Sequence, residues 1–181
     1  MVITGEKSFE ELHTLALTAA RNIHLQDEVE HGRSIDKYGT VRKFSGDKDG
    51  VYIDVTEDTR IIVHNHPHEF KAPNTFSGYD VYNFLANKQL CESIVCGYGY
   101  YFYLRRGTFT GSPMEVKNSL EKLYQEVIRE VGDTYAADPS NQHKSLKCRT
   151  KELNILFEAE FHNELAKELG RKGLLYGRVK L

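Results

Sequence analysis

Residues 61–67 read Ile-Ile-Val-His-Asn-His-Pro, and the fold expected for the chain is built around this segment. A run this short and apolar, starting at Arg60, predicts a strand that is buried on both faces of a sheet. Side chains alternate between the two faces along a strand, so His64 and His66 leave it on the same side. Pro67 has no amide hydrogen for a strand ladder and therefore predicts that the strand ends there.

The chain before this strand changes from a helical to an extended pattern. A capping box of Ser8 and Glu11 precedes apolar residues at helical spacing, which predicts a helix over residues 8–25. Residues 29–44 predict a hairpin around the turn sequence Asp-Lys-Tyr-Gly. Residues 51–55, Val-Tyr-Ile-Asp-Val, alternate in the way that is typical of a strand.

The chain after Pro67 predicts a mixture of helices and strands. The predicted elements are a helix that starts at Ser77, strands at 93–96 and 100–104, helices at 114–132 and 153–165, and a strand at 174–179. This order predicts an α/β (α+β) fold in which helices flank a mixed sheet. We divide the chain into a metal-binding domain, residues 1–110, and a C-terminal helical extension, residues 111–181, that packs on it.

Composition narrows the classes of partner. The 181 residues include 24 Lys and Arg against 26 Asp and Glu, and a surface without a basic surplus favours neither nucleic acid nor anionic membrane as a partner. Cys91, Cys96 and Cys148 show no C-x-x-C spacing, which favours reduced thiols. The sequence has no signal-peptide pattern and no run near the roughly 18 apolar residues of a membrane span. We therefore expect a cytoplasmic protein outside the membrane.

A second group of residues completes a predicted metal site. Asp80 follows Ser77 by three residues and falls in the first turn of the predicted helix, where its carboxylate can face the end of a strand. Two histidines and one aspartate leave the fourth position of a tetrahedral zinc ion for water, which is typical of a catalytic site. We predict one Zn²⁺ ion bound by His64, His66 and Asp80, with the Ser77 hydroxyl donating to an oxyanion.

At these residues the chain resembles a known family. His64-x-His66-Pro67, followed by Ser77-x-x-Asp80, is similar to the signature of the JAMM metalloproteases, which are also called MPN or JAB proteins. The His-Asn-His-Pro form resembles the bacterial and phage branch, which includes RadC-type proteins. The resemblance follows the order of elements over residues 8–105. It implies a cytidine-deaminase-like fold with a curved mixed sheet, one zinc ion, and peptidase or isopeptidase activity on a protein or peptide substrate.

The resemblance also implies that a glutamate on an early strand is the general base. Glu30 lies just before a glycine, as in many members, and we predict it as the base; Glu28, which would share its face, is the alternative. The chain departs from the family in one respect, because the nine residues between Pro67 and Ser77 form a longer spacer than usual.

Two other functions are compatible with the same residues. A RadC-like protein would use the fold in DNA processing, and a catalytically inactive relative would use it as a binding module. The apolar stripes of the last two helices either pack on the sheet or join two copies in a homodimer.

Overall fold

The computed structural model describes residues 5–24, 29–47, 50–66, 75–97 and 99–180. Eleven elements follow one another in this part of the chain. They are α1 (Phe9–Ile23), β1 (His31–Asp36), β2 (Val41–Ser45), β3 (Thr59–Asn65), α2 (Gly78–Ala86), β4 (Glu92–Gly97), β5 (Tyr100–Arg106), α3 (Pro113–Ala137), a 3₁₀ turn (Pro139–Asn141), α4 (Leu146–Arg171) and β6 (Leu174–Lys180).

One six-stranded mixed sheet forms the centre of the protein. The strand order is β2-β1-β3-β4-β5-β6, in which β3 and β4 are parallel and all other neighbours are antiparallel. The predicted α/β class with a mixed sheet flanked by helices is confirmed. The more specific JAB-type fold stays a prediction.

Helix α1 covers one face of the sheet. Ser8 and Glu11 form the predicted capping box, in which each side chain accepts the backbone N–H of the other residue. Apolar side chains from this helix and the sheet share one buried cluster: Leu12, Ala16, Ala20, Ile23, Ile35, Ile61, Val63, Ile94 and Cys96. Because Ile61 and Val63 of β3 point towards α1, the alternation of the strand sends Ile62 and His64 to the opposite face.

Helices α2, α3 and α4 cover that opposite face. Their apolar side chains and those of the sheet form a second cluster, which includes Ile62, Val81, Phe84, Val95, Phe102, Leu104, Val116, Leu120, Phe161, Leu165 and Leu169. Residues after position 110 therefore share a core with the sheet, and β6 pairs with β5 over its whole length. No helix in the described ranges has both the length and the apolar character needed to cross a membrane.

The predicted strand at residues 51–55 is wrong, whereas the predicted hairpin and final strand are confirmed. Residues 51–55 form no strand and instead pass over β1 at Gly32. A Cβ atom at Gly32 would lie 2.6 Å from Cγ1 of Ile53 and 3.3 Å from Cγ2 of Val51. The segment thus uses its apolar side chains to cover a glycine, which gives the same alternating pattern as a strand.

Arg106 at the end of β5 holds the C-terminal end of α2. Its guanidinium donates hydrogen bonds to the backbone carbonyls of Phe84, Leu85 and Asn87 at 2.7–3.1 Å. The last carbonyls of a helix have no partner within the helix, so a cation there satisfies them and complements the helix dipole. This contact fixes α2 relative to the sheet, which matters because the first turn of α2 carries Asp80.

Candidate metal centre

His64 and His66 lie where β3 ends, on the face of the sheet that α2 covers. Both are buried, and their side chains are only 7% and 9% exposed. The two Nε2 atoms are 3.2 Å apart. The structure therefore brings the two imidazoles together as strand alternation predicts.

Asp80 reaches the same point from the first turn of α2. Ser77 is the N-cap of this helix: its N–H donates to Oδ2 of Asp80 at 2.7 Å, and its Oγ accepts the N–H of Asp80 at 3.2 Å. Oδ1 of Asp80 lies 3.2 Å from Nε2 of His64, and Oδ2 lies 3.6 Å from Nε2 of His66. These two hydrogen bonds form a capping box, and its effect is to aim the carboxylate at the two imidazoles.

These donor atoms fit a small tetrahedral cation. Zinc lies about 2.0–2.1 Å from nitrogen and oxygen ligands, so two ligands at a tetrahedral angle are about 3.3–3.4 Å apart. The two Nε2 atoms are 3.2 Å apart, close to that spacing, and each has one of the two Asp80 oxygens at 3.2 or 3.6 Å. With one ligand atom taken from each residue, all three atoms lie within 4.8 Å of one another. His64, His66 and Asp80 therefore form a group that can hold one metal ion.

The charge of Asp80 suits this role. Burial by itself raises the pKa of the Asp80 carboxyl, but the neighbouring His64 and His66 outweigh burial and hold that pKa well below its usual range. An aspartate must be ionised to bind a metal, and this carboxylate is already ionised before any metal arrives.

Glu30 lies beside this group, directly before β1. The backbone pairing of the hairpin extends to it, since Glu30 N–H donates to Asp47 O and Gly46 N–H donates to Glu30 O, both at 2.8 Å. Gly32 pairs with His64 across β1 and β3, so Glu30, two residues before Gly32, faces the same side as the histidine. The predicted alternative, Glu28, lies outside the described residues.

The surroundings of Glu30 suit a general base. Burial is the largest effect, and it raises the pKa of the Glu30 carboxyl. The charges of His66 and His64 lower this pKa in part, as does a hydrogen bond from the N–H of Val51, whereas the charge of Asp80 raises it further. Because all three metal-site residues act on this carboxyl, it shares their electrostatic environment. The net raised pKa makes Glu30 a stronger base than an exposed glutamate.

Sequence reasoning missed Asn65, which lies between the two histidines. Its side chain points away from them and is buried, and its Oδ1 accepts the backbone N–H of His31 at 2.6 Å. This bond ties the end of β3 to the start of β1, and so ties the histidines to the Glu30 segment. A polar residue at the end of a buried strand was the available signal.

Sequence reasoning also missed Tyr176 of β6. Its hydroxyl contacts Oγ1 of Thr75 at 2.8 Å and Nδ1 of His162 at 2.7 Å, and its ring meets Phe76 edge-on. Burial and the charge of Arg178 lower the pKa of His162 to about 4, so this imidazole is neutral at pH 7. The C-terminal strand thereby holds the segment that leads into Ser77.

We expect Tyr176→Phe to weaken zinc binding severalfold without unfolding the protein. The variant keeps the ring contacts but loses both hydrogen bonds, at a cost of about 1–2 kcal/mol of unfolding free energy. Thermal denaturation measures the stability, and competition with a chromophoric chelator measures the zinc affinity. Equal zinc affinity in wild type and variant would show that the hydrogen bond between Tyr176 and Thr75 does not contribute to zinc binding.

A second prediction concerns the glycine beneath the 51–55 segment. We expect Gly32→Ala to destabilise the fold by about 1–2 kcal/mol, because the added methyl group would overlap the side chain of Ile53. The displacement would also move Val51, whose N–H lowers the pKa of the Glu30 carboxyl. Gly132→Ala is the control, since a Cβ atom there meets nothing within 4 Å. Chemical denaturation of both variants tests this; equal stability of Gly32→Ala and wild type would contradict it.

A separate ionisable cluster lies on the α1 face of the sheet. Glu92 is fully buried, and its two carboxylate oxygens contact Nδ1 of His13 and Nε of Arg105, each at 2.7 Å. The guanidinium of Arg105 lies between the rings of Phe9 and Tyr103. These contacts use both carboxylate oxygens. Because His13 belongs to α1 and Glu92 and Arg105 belong to β4 and β5, the cluster joins α1 to the sheet.

Comparisons of the chain with protein-family models, with curated proteins and with solved structures give no match. A proposal for the function of this protein therefore depends on the geometry of the site.

Proposed function

We propose that this protein is a zinc-dependent hydrolase that cleaves a peptide or isopeptide bond, with Glu30 as its general base. The observation that carries the proposal is the convergence of His64, His66 and Asp80, whose ligand atoms lie within 4.8 Å of one another, with the half-buried carboxylate of Glu30 in the same electrostatic environment. The resemblance to JAMM metalloproteases adds the expectation of an amide substrate.

The ligand set favours zinc among the common metals. Two imidazole nitrogens and one carboxylate oxygen are ligands that zinc accepts in catalytic sites, whereas magnesium and calcium prefer oxygen alone. Three protein ligands leave one position of a tetrahedral ion for water or substrate. When bound, zinc would supply a Lewis acid that lowers the pKa of a water molecule and polarises a carbonyl group.

The protein residues then divide the remaining tasks. Glu30 accepts a proton from the attacking water and returns it to the nitrogen of the leaving amine. Ser77 uses its Oγ lone pair to accept the N–H of Asp80, so its own hydrogen remains to donate to the oxygen of the tetrahedral intermediate. The N–H of Ser77 holds Oδ2 of Asp80, and the two histidines keep this carboxylate ionised.

The test combines metal analysis with a search for cleavage. The purified full chain is expected to bind one zinc ion and to cut members of a mixed pool of linear and isopeptide-linked peptides, detected by mass spectrometry. Chelation should stop the cleavage, and one equivalent of zinc should restore it. A protein that binds no zinc after supplementation would overturn the proposal. Zinc binding without any cleavage would instead favour an inactive binding module.

A further inference from the structure

We propose that Arg178, together with Lys180 and Tyr100, forms a subsite beside the metal centre that binds an acidic side chain of a peptide substrate. This inference rests on the proposed peptidase function and adds to it the class of peptide.

The register of the sheet puts Arg178 in line with the metal site. One row across the sheet contains Gly32, His64, Val95, Phe102 and Arg178. Residues that lie opposite one another on neighbouring strands share a face, so Arg178 faces the same side of the sheet as His64. The subsite and the metal ligands thus belong to one surface.

The neighbouring row extends the same surface at the edge of the sheet. Tyr100 pairs with Lys180 on one side and with Gly97 on the other. The N–H of His66 donates to Cys96 O, directly before Gly97, so His66 follows on the far side of that glycine. Gly97 has no side chain to separate the tyrosine from the histidine.

The guanidinium of Arg178 is held in an orientation that suits the binding of a carboxylate. Its Cζ atom lies over the Tyr100 ring, 5.1 Å from the centroid, while the residue itself is exposed to solvent. Within the described residues, neither Arg178 nor Lys180 forms an ion pair with a carboxylate. A guanidinium stacked on an aromatic ring keeps its planar N–H groups available for the two oxygens of an acid.

The distance predicts where the acidic residue lies in the substrate. Neighbouring strands are about 4.7–4.9 Å apart, so three spacings put the Arg178 backbone about 14 Å from that of His64. An extended peptide covers about 3.3–3.6 Å per residue. The geometry therefore places the acidic side chain about four residues from the bond that is cut.

A peptide fits this surface better than a nucleic acid does. Binding to a phosphate backbone normally uses about six to ten cationic contacts, whereas this edge offers two cations. The formal net charge of -2 adds no general attraction for a polyanion. Two cations and one aromatic ring are sufficient for a single carboxylate.

The first experiment reads the acidic preference from cleavage sites. The zinc-loaded full chain is incubated with a peptide library from a digested proteome, and the residues on each side of every cut are counted. We expect Asp and Glu to be enriched about fivefold at about four residues from the cut, because an exposed ion pair contributes at most about 1 kcal/mol. Arg178→Gln should lose the enrichment, and Arg178→Glu should replace it with Lys and Arg. Arg42→Gln, on the opposite edge strand, is the matched control and should keep it.

A second experiment does not depend on cleavage. Zinc-loaded Glu30→Gln protein is titrated with a fluorescein-labelled peptide that contains glutamates and with a matched peptide that contains glutamines. The acidic peptide should bind about fivefold more tightly. A double variant that carries Arg178→Gln in addition to Glu30→Gln should bind the two peptides equally. Acidic preference without cleavage in wild type would support the subsite but contradict the peptidase. Cleavage without acidic preference would overturn the subsite alone. Tighter, Arg178-dependent binding of a single-stranded oligonucleotide would overturn the peptide as the ligand.

Discussion

Replacing His64 by alanine is expected to reduce zinc binding from one ion per chain to nearly none under conditions that saturate the wild type. The variant keeps only His66 and Asp80, and two ligands leave half of a tetrahedral ion without protein contacts. Changes in residues that merely support a metal ligand cost about 10–100-fold in affinity, so removal of a ligand should exceed about 100-fold. Metal analysis after dialysis, followed by competition with a chromophoric chelator, measures the loss.

The control for this variant is another histidine. His143→Ala removes an exposed histidine between the 3₁₀ turn and α4, outside the metal-site group, and should leave one zinc ion bound. A thermal readout gives an independent check, because a ligand at about 100 times its Kd stabilises the folded state by about 2.7 kcal/mol. Zinc should raise the melting temperature of wild type and His143→Ala but not of His64→Ala. If His64→Ala keeps one tightly bound zinc ion, the ion binds elsewhere in the chain.

The grouping of His64, His66 and Asp80 could be predicted because its geometry follows from local rules. Two residues of separation on a strand place His64 and His66 on one face, and the N3 position of a capping box directs the Asp80 carboxylate towards the helix start. Neither rule needs knowledge of distant parts of the chain. The predicted helix starts at Ser8 and Ser77 are confirmed for the same reason.

The surroundings of the site depend on contacts that local rules do not contain. Residues 51–55 alternate like a strand, but whether such a segment pairs or lies across another strand depends on Gly32, about 20 positions away. The bond between Tyr176 and Thr75 joins residues 101 positions apart. The predicted final strand is confirmed, yet its place beside β5, which brings Arg178 to the metal-site surface, required the structure.

The proposed general base decides whether the protein is a hydrolase, and Glu30→Gln is the variant that tests it. Glutamine has nearly the same shape as glutamate but cannot accept the proton of an attacking water. We expect hydrolysis to fall by about 10²–10⁴-fold, the usual contribution of a general base, while one zinc ion stays bound. Glu57→Gln changes an exposed glutamate and should retain full activity and zinc content.

The stability of the same variant separates a base from a structural residue. Burial raises the pKa of Glu30 in the folded protein, so folding favours its neutral form and this group opposes folding increasingly as pH rises through that pKa. Glutamine is neutral at every pH, so metal-free Glu30→Gln should be at least as stable as wild type at pH 7, and the two should converge in acid. Denaturation at several pH values measures this. If the charge of Glu30 stabilised the fold, Glu30→Gln would be less stable than wild type. If Glu30 is the general base, the variant should lose activity without becoming less stable. A variant that retains zinc and hydrolyses peptides at the wild-type rate would remove Glu30 from the mechanism.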